Sequence, residues 1–364
     1  MTTGTVPYNL RSSPSADYHY TRHNKYAREF SNFANEGNWT SLTIRDLQSE
    51  GGDSSWAALR AAISVGAGSC LVGQLPPPMY VCGTGENFDA GNKKDELCSR
   101  WYGSAVMWPH VLALPENLPG SEYLTKSSSS YVVKHLTLRA SLLTYARTTL
   151  AKYYIEGAPI LAPTSVHYPK DLRARRRWNQ YFWGDAILVG LVTLPRVTQV
   201  LMWLPGEHPW RHLQGGLQVQ PSYINDTSVP AVRGQIIMLI RPGFIIPVHE
   251  EIAMTADATT KSDLTLVANW ACTVLHCAAS GKIFYGTSSN DDVFLNISIS
   301  GEHSNVELNN VLKVQERACV NDTTSSAKQS TVIKRVEILG VHAYNVSIDL
   351  CKLTEDSPKI NLIT

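Results

Sequence analysis

Gly157-Ala-Pro-Ile-Leu-Ala-Pro163 and, beyond His167-Tyr-Pro-Lys-Asp171, Asn179-Gln-Tyr-Phe-Trp-Gly-Asp-Ala-Ile-Leu-Val-Gly-Leu-Val192 mark where the pattern of this chain changes. Gly157 and Pro159 stop a helix, because glycine takes the left-handed conformation at a helix end and proline cannot continue one. Ile160–Pro163 then reads as a short buried strand directly behind a helix, which is the alternation of an α/β region. Working upstream, Val132, Leu136, Ala140, Leu143, Ala146, Leu150 and Tyr153 recur at three- and four-residue steps. That spacing predicts one helix over Tyr131–Tyr154 with Ser130 as its N-cap. Trp56, Leu59, Ile63 and Ala67 predict a shorter amphipathic helix, with Leu71-Val72-Gly73 as a strand entry before the Pro76-Pro77-Pro78 turn. Residues 1–55 are polar without a clear period and read as irregular.

Downstream of about residue 173 the chain becomes a series of short strands punctuated by turns. Val200–Leu204 ends at Pro205-Gly206, Ile236–Ile240 ends at Arg241-Pro242-Gly243, and Phe244–Val248 follows at once. Val293, Leu295, Ile297 and Ile299 alternate with polar residues, as do Val336 with Ile338 and Val346 with Ile348. Such spacing belongs to β-sandwiches. The fold class is therefore α/β followed by all-β.

The balance of 32 basic against 31 acidic residues gives a net charge of +1, so no overall field recruits nucleic acid or an anionic membrane. The apolar runs near Ala186–Leu194 and Gln235–Ile240 are too short to span a bilayer, and the N-terminus shows no signal-peptide pattern. Seven cysteines allow one or two bridges and leave at least one thiol unpaired within the chain. Sequons at Asn38, Asn225, Asn296, Asn321 and Asn345 lean towards the secretory pathway. The Arg173–Arg177 run reads as a solvated basic loop, and Cys272 with Cys277 as core residues or a local bridge. The chain shows no metal-ligand spacing and no organic-cofactor motif, and carries no signal for an oligomeric state.

The two opening segments resemble, in order and spacing, the G-x-P-V-x-R-P-L, F-P-x-D and Q-F-x-x-G-x-x-L-L-V-x-P-V patterns of glycoside hydrolase family 31, the α-glucosidase family. Val200–Leu204 with Trp210-Arg-His is similar to its Y-x-P-x-G-x-W-Y-D hairpin, and Arg241–Pro247 to its R-G-G-x-I-I-P strand. Cys82-Gly83 with Asp95-Glu-Leu-Cys98-Ser-Arg-Trp101 resembles the C-G-F and E-E-L-C-x-R-W stretch of the animal lysosomal and brush-border members, whose two cysteines are bridged. Gly281–Tyr285 and Ile338–Val341 resemble distal-sandwich patterns. The resemblance covers roughly residues 50–350 collinearly. It implies the C-terminal part of a (β/α)8 barrel over 1–172, a proximal β-sandwich over 173–252 and a distal β-sandwich over 253–364. It also implies a Cys82–Cys98 disulfide and an extracellular or lysosomal location within the secretory pathway, where the sequons at Asn225, Asn296, Asn321 and Asn345 would be the glycosylation candidates.

The family's members are retaining glycosidases, which need two carboxylates about 5–5.5 Å apart, one as nucleophile and one as general acid/base. The family nucleophile sits in a W-x-D-M-N-E motif, and no such motif occurs in this chain. The family acid precedes an S-S-W stretch, which makes Asp53 in Gly51-Gly-Asp-Ser-Ser-Trp56 its candidate here, two residues closer to the Trp than in the animal members. Gly51 takes that position if the alignment carries no gap, and Asp53 also reads as an exposed turn residue capping the next helix. Sugar-holding positions of the family fall on Tyr80, Leu112-Ala113-Leu114 and Ala162, and His110 nearby reads as structural. The expectation is an α-glucosidase relative that takes an α-glucoside if any ligand and is inactive as this chain. The rival readings are a non-catalytic carbohydrate-binding or protein-interaction module and an incomplete gene product. A partial barrel leaves open sheet edges, so residues 1–130 are expected to be poorly ordered or to need a partner.

Overall fold

The computed structural model describes residues 54–83, 93–119, 124–222, 224, 226–273, 276–285, 293–303, 308–315, 333–339, 345–350 and 359–363. Helix α1 (Trp56–Leu71) is capped by the Ser55 hydroxyl, which accepts from Ala58 N, and buries Leu59, Ile63, Ala67 and Cys70. It runs through Leu71 and closes at Val72, so the strand entry expected there is instead the last turn of this helix. The Ala-rich sequence carries the helix on until Gly73, whose φ of 74° ends it. Strand β1 (Met79–Tyr80) lies parallel to β2 (Val111–Leu112), and helix α2 (Lys93–Ala105) packs beside them. Parallel pairing is the geometry of α/β barrels, yet the described strands do not close into one.

The helix predicted over Tyr131–Tyr154 is two helices, α3 (Lys126–Ser141) and α4 (Leu143–Glu156), and the N-cap is Thr125 rather than Ser130. The break falls at Leu142, which leaves helical geometry at φ −94° and ψ 14° while its side chain is fully buried. Gly157 at φ 70° ends α4 as predicted.

Strand β3 (Leu161–Pro163) does not join the parallel pair. It opens a six-stranded sheet with β4 (Gln180–Trp183), β5 (Ile187–Gly190), β10 (Ile237–Ile240), β7 (Trp210–His212) and β8 (Gln218–Val219), in that order. Two short helices, α5 (Thr164–His167) and α6 (Leu172–Arg175), fill the β3–β4 connection. The alternation of side chains sorts this sheet into two apolar faces. Leu161, Trp183, Ile187, Val189, Met238 and Ile240 face a core shared with α1–α4. Ala162, Phe182, Leu188, Ile237 and Leu239 face a ribbon of β6 (Gln199–Met202) and β9 (Thr227–Pro230), through Met202 and Val229.

Strand β11 (Phe244–His249) begins a second sheet. It pairs antiparallel with β12 (Leu264–Asn269) and parallel with β14 (His276–Tyr285), after the short helix α7 (Ala256–Thr260) and strand β13 (Ala271–Cys272). With β15 (Val293–His303), β16 (Leu308–Gln315), β17 (Ile333–Leu339), β18 (Asn345–Leu350) and β19 (Lys359–Ile363), it makes nine strands among the described residues. Ile245, Leu266, Ala279, Ile297, Ile299 and Val336 form its own core, while Ile246, Val267 and Leu339 on the opposite face join the helical core. The helices thus lie against both sheets. Leu59, Ile63, Trp101, Tyr102 and Trp108 belong to that same core, so the described part of the first 130 residues is folded against the rest of the chain. The expectation that residues 1–130 are poorly ordered or need a partner bears also on residues 1–53, 84–92 and 120–123, which lie outside the described residues.

Candidate active-site region

Beyond β1 the backbone turns through two consecutive left-handed residues, Cys82 at φ 68° and Gly83 at φ 80°. A cysteine in that region is strained, and three ties hold it there. Cys82 is bridged to Cys98 on α2, with Cα atoms 4.8 Å apart, which is the pairing the resemblance implied. The buried Asn117 amide donates to the carbonyls of Val81 and Gly83, each at 3.3 Å. The Ser54 hydroxyl donates to the Cys82 carbonyl. Asn117 is in turn fixed by the Tyr102 hydroxyl, which donates to its carbonyl at 2.8 Å, and burial pushes that phenol up to about 12. Asp53 lies outside the described residues. Its neighbour Ser54 is the first residue of α1's capping turn and is moored at this strand end.

The other residues singled out by sequence do not share one environment. Tyr80, Ala113 and Leu114 are half-buried, Leu112 is exposed, and Ala162 is fully buried in the core facing the β6–β9 ribbon. The His110 side chain is exposed, and its carbonyl accepts from Met79 N at 2.9 Å. Two carboxylates sit on the bridged helix, and both serve backbone amides. Asp95 accepts from Thr125 N at 3.2 Å, and Glu96 accepts from Arg196 N at 3.1 Å. Charge-assisted bonds of this kind fix loops and leave little capacity for a substrate.

Buried basic groups in the same layer are also spent on the backbone. Arg139 donates to the carbonyls of Ala105, Val106, Trp108 and Pro109, satisfying the orphan acceptors at the end of α2. Arg100 reaches the carbonyls of Val197, Ala231, Val232 and Gln235, which ties α2 to the segments that precede β6 and follow β9. Burial, with Arg100 and Lys134 nearby, holds the His135 imidazole down to about 4, so it is neutral at ordinary pH.

A polar cluster that sequence reading missed lies at the turn between β4 and β5. Lys152 pairs with Asp185 at 2.5 Å, His167 Nε2 lies 3.2 Å from the Gly184 carbonyl, and Arg241 stacks on Tyr168, Phe182 and Phe244. Burial would raise the Asp185 carboxyl, but the Lys152 bond and charge, with His167 and Arg241, bring it below its usual value. Burial lowers His167. A lone Asp inside the apolar run 180–192 was the available signal, because a partly buried carboxylate needs a partner. The basic run is neutralised locally: Arg173 pairs with Asp171 at 3.0 Å, Arg175 donates to the Pro169 carbonyl, and Arg177 pairs with Asp226 at 2.5 Å. Cys272 and Cys277 form a cross-strand bridge between β13 and β14. Asn296 sits half-buried on β15 between Lys282 and Gln315, and Asn345 opens β18. Asn38, Asn225 and Asn321 lie outside the described residues. Among the described residues, no group of three or more His, Cys, Asp or Glu side chains could hold a metal, and no helix is long and apolar enough to cross a membrane.

Residues 157–246 match the model of the glycosyl hydrolase family 31 C-terminal domain. A probable alpha/beta-glucosidase of Aspergillus fumigatus is 31% identical over 223 residues, covering 59% of this chain and 24% of that protein. The chain therefore spans about a quarter of the length of the curated relatives it matches. Among solved structures, the glucosidase II alpha subunit superposes with a TM-score of 0.59 at 19% identity, covering 71% of this chain and 28% of that one. A Flavobacterium johnsoniae GH31 dextranase complexed with glucose gives a TM-score of 0.62 at 16% identity, covering 83% and 40%.

Proposed function

Because the chain is a member of glycoside hydrolase family 31 and corresponds to its C-terminal region, we propose that it is the barrel-end and sandwich portion of an α-glucosidase-type hydrolase, unable to cleave a glycoside by itself. In this reading the whole protein hydrolyses α-glucosidic O-glycosyl bonds, with an α-glucoside as its partner. Residues 1–172 form the end of a (β/α)8 barrel, 173–252 the proximal sandwich and 253–364 the distal one. The protein works in the secretory pathway, a compartment that suits its two disulfides.

The observation that carries the reading is the supply of acidic groups. Retention needs a nucleophile as well as an acid. The chain contains no W-x-D-M-N-E motif, and Asp53 is its single candidate for the second role. Asp95 and Glu96, on the helix bridged to the strand end, are engaged with Thr125 and Arg196. The aliphatic and aromatic residues at the sugar-holding positions offer no charge-assisted bonds to hydroxyls.

The test is release of p-nitrophenol from its α-glucoside by the purified chain, beside an Asp53→Asn variant. The expected rate equals that of buffer for both proteins. Turnover by the unaltered chain that disappears in the variant would overturn the proposal.

A further inference from the structure

The run Arg173-Ala-Arg-Arg-Arg177 serves neither the strand-end turn at Cys82 nor the cluster at Asp185, and its spacing is specific. Counting back from the bond between Arg176 and Arg177, an arginine stands first, second and fourth, at Arg176, Arg175 and Arg173. Neither neighbouring bond repeats this, because the fourth residue back is Leu172 from the bond before it and Ala174 from the bond after it. Arg173 and Arg176 are also the only arginines of the chain that stand three residues apart. A row of carboxylate-lined pockets would read that order, since each guanidinium donates a matched pair of bonds to a carboxylate.

The segment lies in the connection between β3 and β4, where Leu172, Arg173, Arg175, Arg176 and Trp178 are exposed. It is folded as the single turn α6, and a protease takes its substrate extended. Asp171 Oδ1 caps the turn by accepting from Arg173 N at 2.8 Å, and the same carboxylate pairs with the Arg173 guanidinium at 3.0 Å. Arg175 donates to the Pro169 carbonyl at 2.7 Å. Ala174 is the one buried residue of the turn, and its carbonyl accepts from Thr164 Oγ1 at 2.8 Å. Beyond the bond, Arg177 pairs with Asp226 at 2.5 Å and fixes the downstream end. A lone helical turn is marginal by itself and exposed ion pairs add little, so α6 opens at far lower cost than the sheets beside it.

We propose that the Arg176–Arg177 peptide bond is a proteolytic processing site, read by an endoprotease with acidic pockets for arginine once α6 opens, and that the cut chain stays assembled. Hydrolysis breaks the bond between the Arg176 carbonyl carbon and the Arg177 nitrogen. Water gives its hydroxyl to the carbon and a proton to the nitrogen, which leaves a new carboxylate and a new amine. Strand β3 before the cut pairs with β4 after it through Leu161, Ala162 and Pro163. Arg60 and Arg100 donate across it to the Thr193 and Ala231 carbonyls at 2.9 and 2.7 Å. On α4, the Thr148 hydroxyl oxygen accepts from Phe284 N at 3.0 Å and Glu156 pairs with Lys282 at 2.9 Å. Cys82–Cys98 lies before the cut and Cys272–Cys277 after it, so no bridge among the described residues spans it. Nothing in this step depends on glycosidase activity.

The experiment incubates the purified full chain with a subtilisin-type endoprotease that requires arginine first and fourth before the cut, and follows the products by intact mass and N-terminal sequencing. The downstream piece should begin Arg177-Trp178-Asn179. The two pieces should separate on a denaturing gel without reductant and co-elute on size exclusion. Arg176→Ala should remove the cut. Arg173→Ala loosens the turn by removing its pair with Asp171, and yet it should slow cleavage at least about tenfold because it empties a pocket. Asp171→Ala keeps every arginine and should speed cleavage about fivefold, the gain in open population that loss of one helix cap brings. A first cut at another bond, Arg173→Ala cleaved as fast as the parent, Asp171→Ala cleaved no faster, or pieces that elute apart would overturn the proposal.

Discussion

At position 162, where the sequence resemblance would put an arginine, the chain carries Ala. Ala162 is fully buried beside Phe182 and Leu188, in the core under the β6–β9 ribbon. A guanidinium there would have to leave water without a carboxylate to meet it, a penalty of several kcal/mol. Ala162→Arg should therefore lower stability by more than about 3 kcal/mol, measured as a shift of the urea midpoint, and should leave p-nitrophenyl α-glucoside untouched. A variant as stable as the parent would show that the side chain escapes to a polar surface. The disulfide at Cys82 and Cys98 was legible from its surroundings in sequence, because the motif around it is specific. The Asp185–Lys152–His167–Arg241 cluster was not, since its members come from four separate segments and only the folded chain brings them together.

The elements were legible wherever burial alternates at a fixed period, and less so where a neighbour decides. The helical run through Leu136 and Ala140 to Leu143 gave no hint of the break at Leu142, which is made when that side chain turns into the core. Strands β3 and β11 were found close to their bounds, but which sheet each would join is a matter of long-range pairing that a period of two does not encode. The division placed at residue 252 runs between β11 and β12, which are antiparallel partners across six residue pairs. Helix α1 offers a direct test of packing against propensity. A Cβ added at Gly66 would overlap the Trp108 indole, which is 2% exposed and held by its bond to the Pro77 carbonyl at 2.8 Å. Gly→Ala in a helix ordinarily gains about 0.5–1 kcal/mol, whereas overpacking costs about 1–3 kcal/mol. Gly66→Ala should be net destabilising, read from the denaturation midpoint, and a gain in stability would mean that Trp108 can move aside.

For the molecule as a whole, the shared helical core makes the three sequence-defined segments interdependent. Removing residues 253–364 would strip β11 of β12 and β14 and expose Ile245, Ile246 and Val267's former neighbours as an unpaired apolar edge. That truncated chain should be recovered largely as aggregate, while the full chain runs as a defined species on size exclusion. A soluble, cooperatively melting 1–252 product would refute the dependence. The six-stranded sheet carries a consequence for how such a chain can drift. Strand β5 has no solvent side, so almost any polar replacement in Ile187–Gly190 would leave a buried group without a partner and cost the fold directly, whereas an edge strand could turn the same group to water.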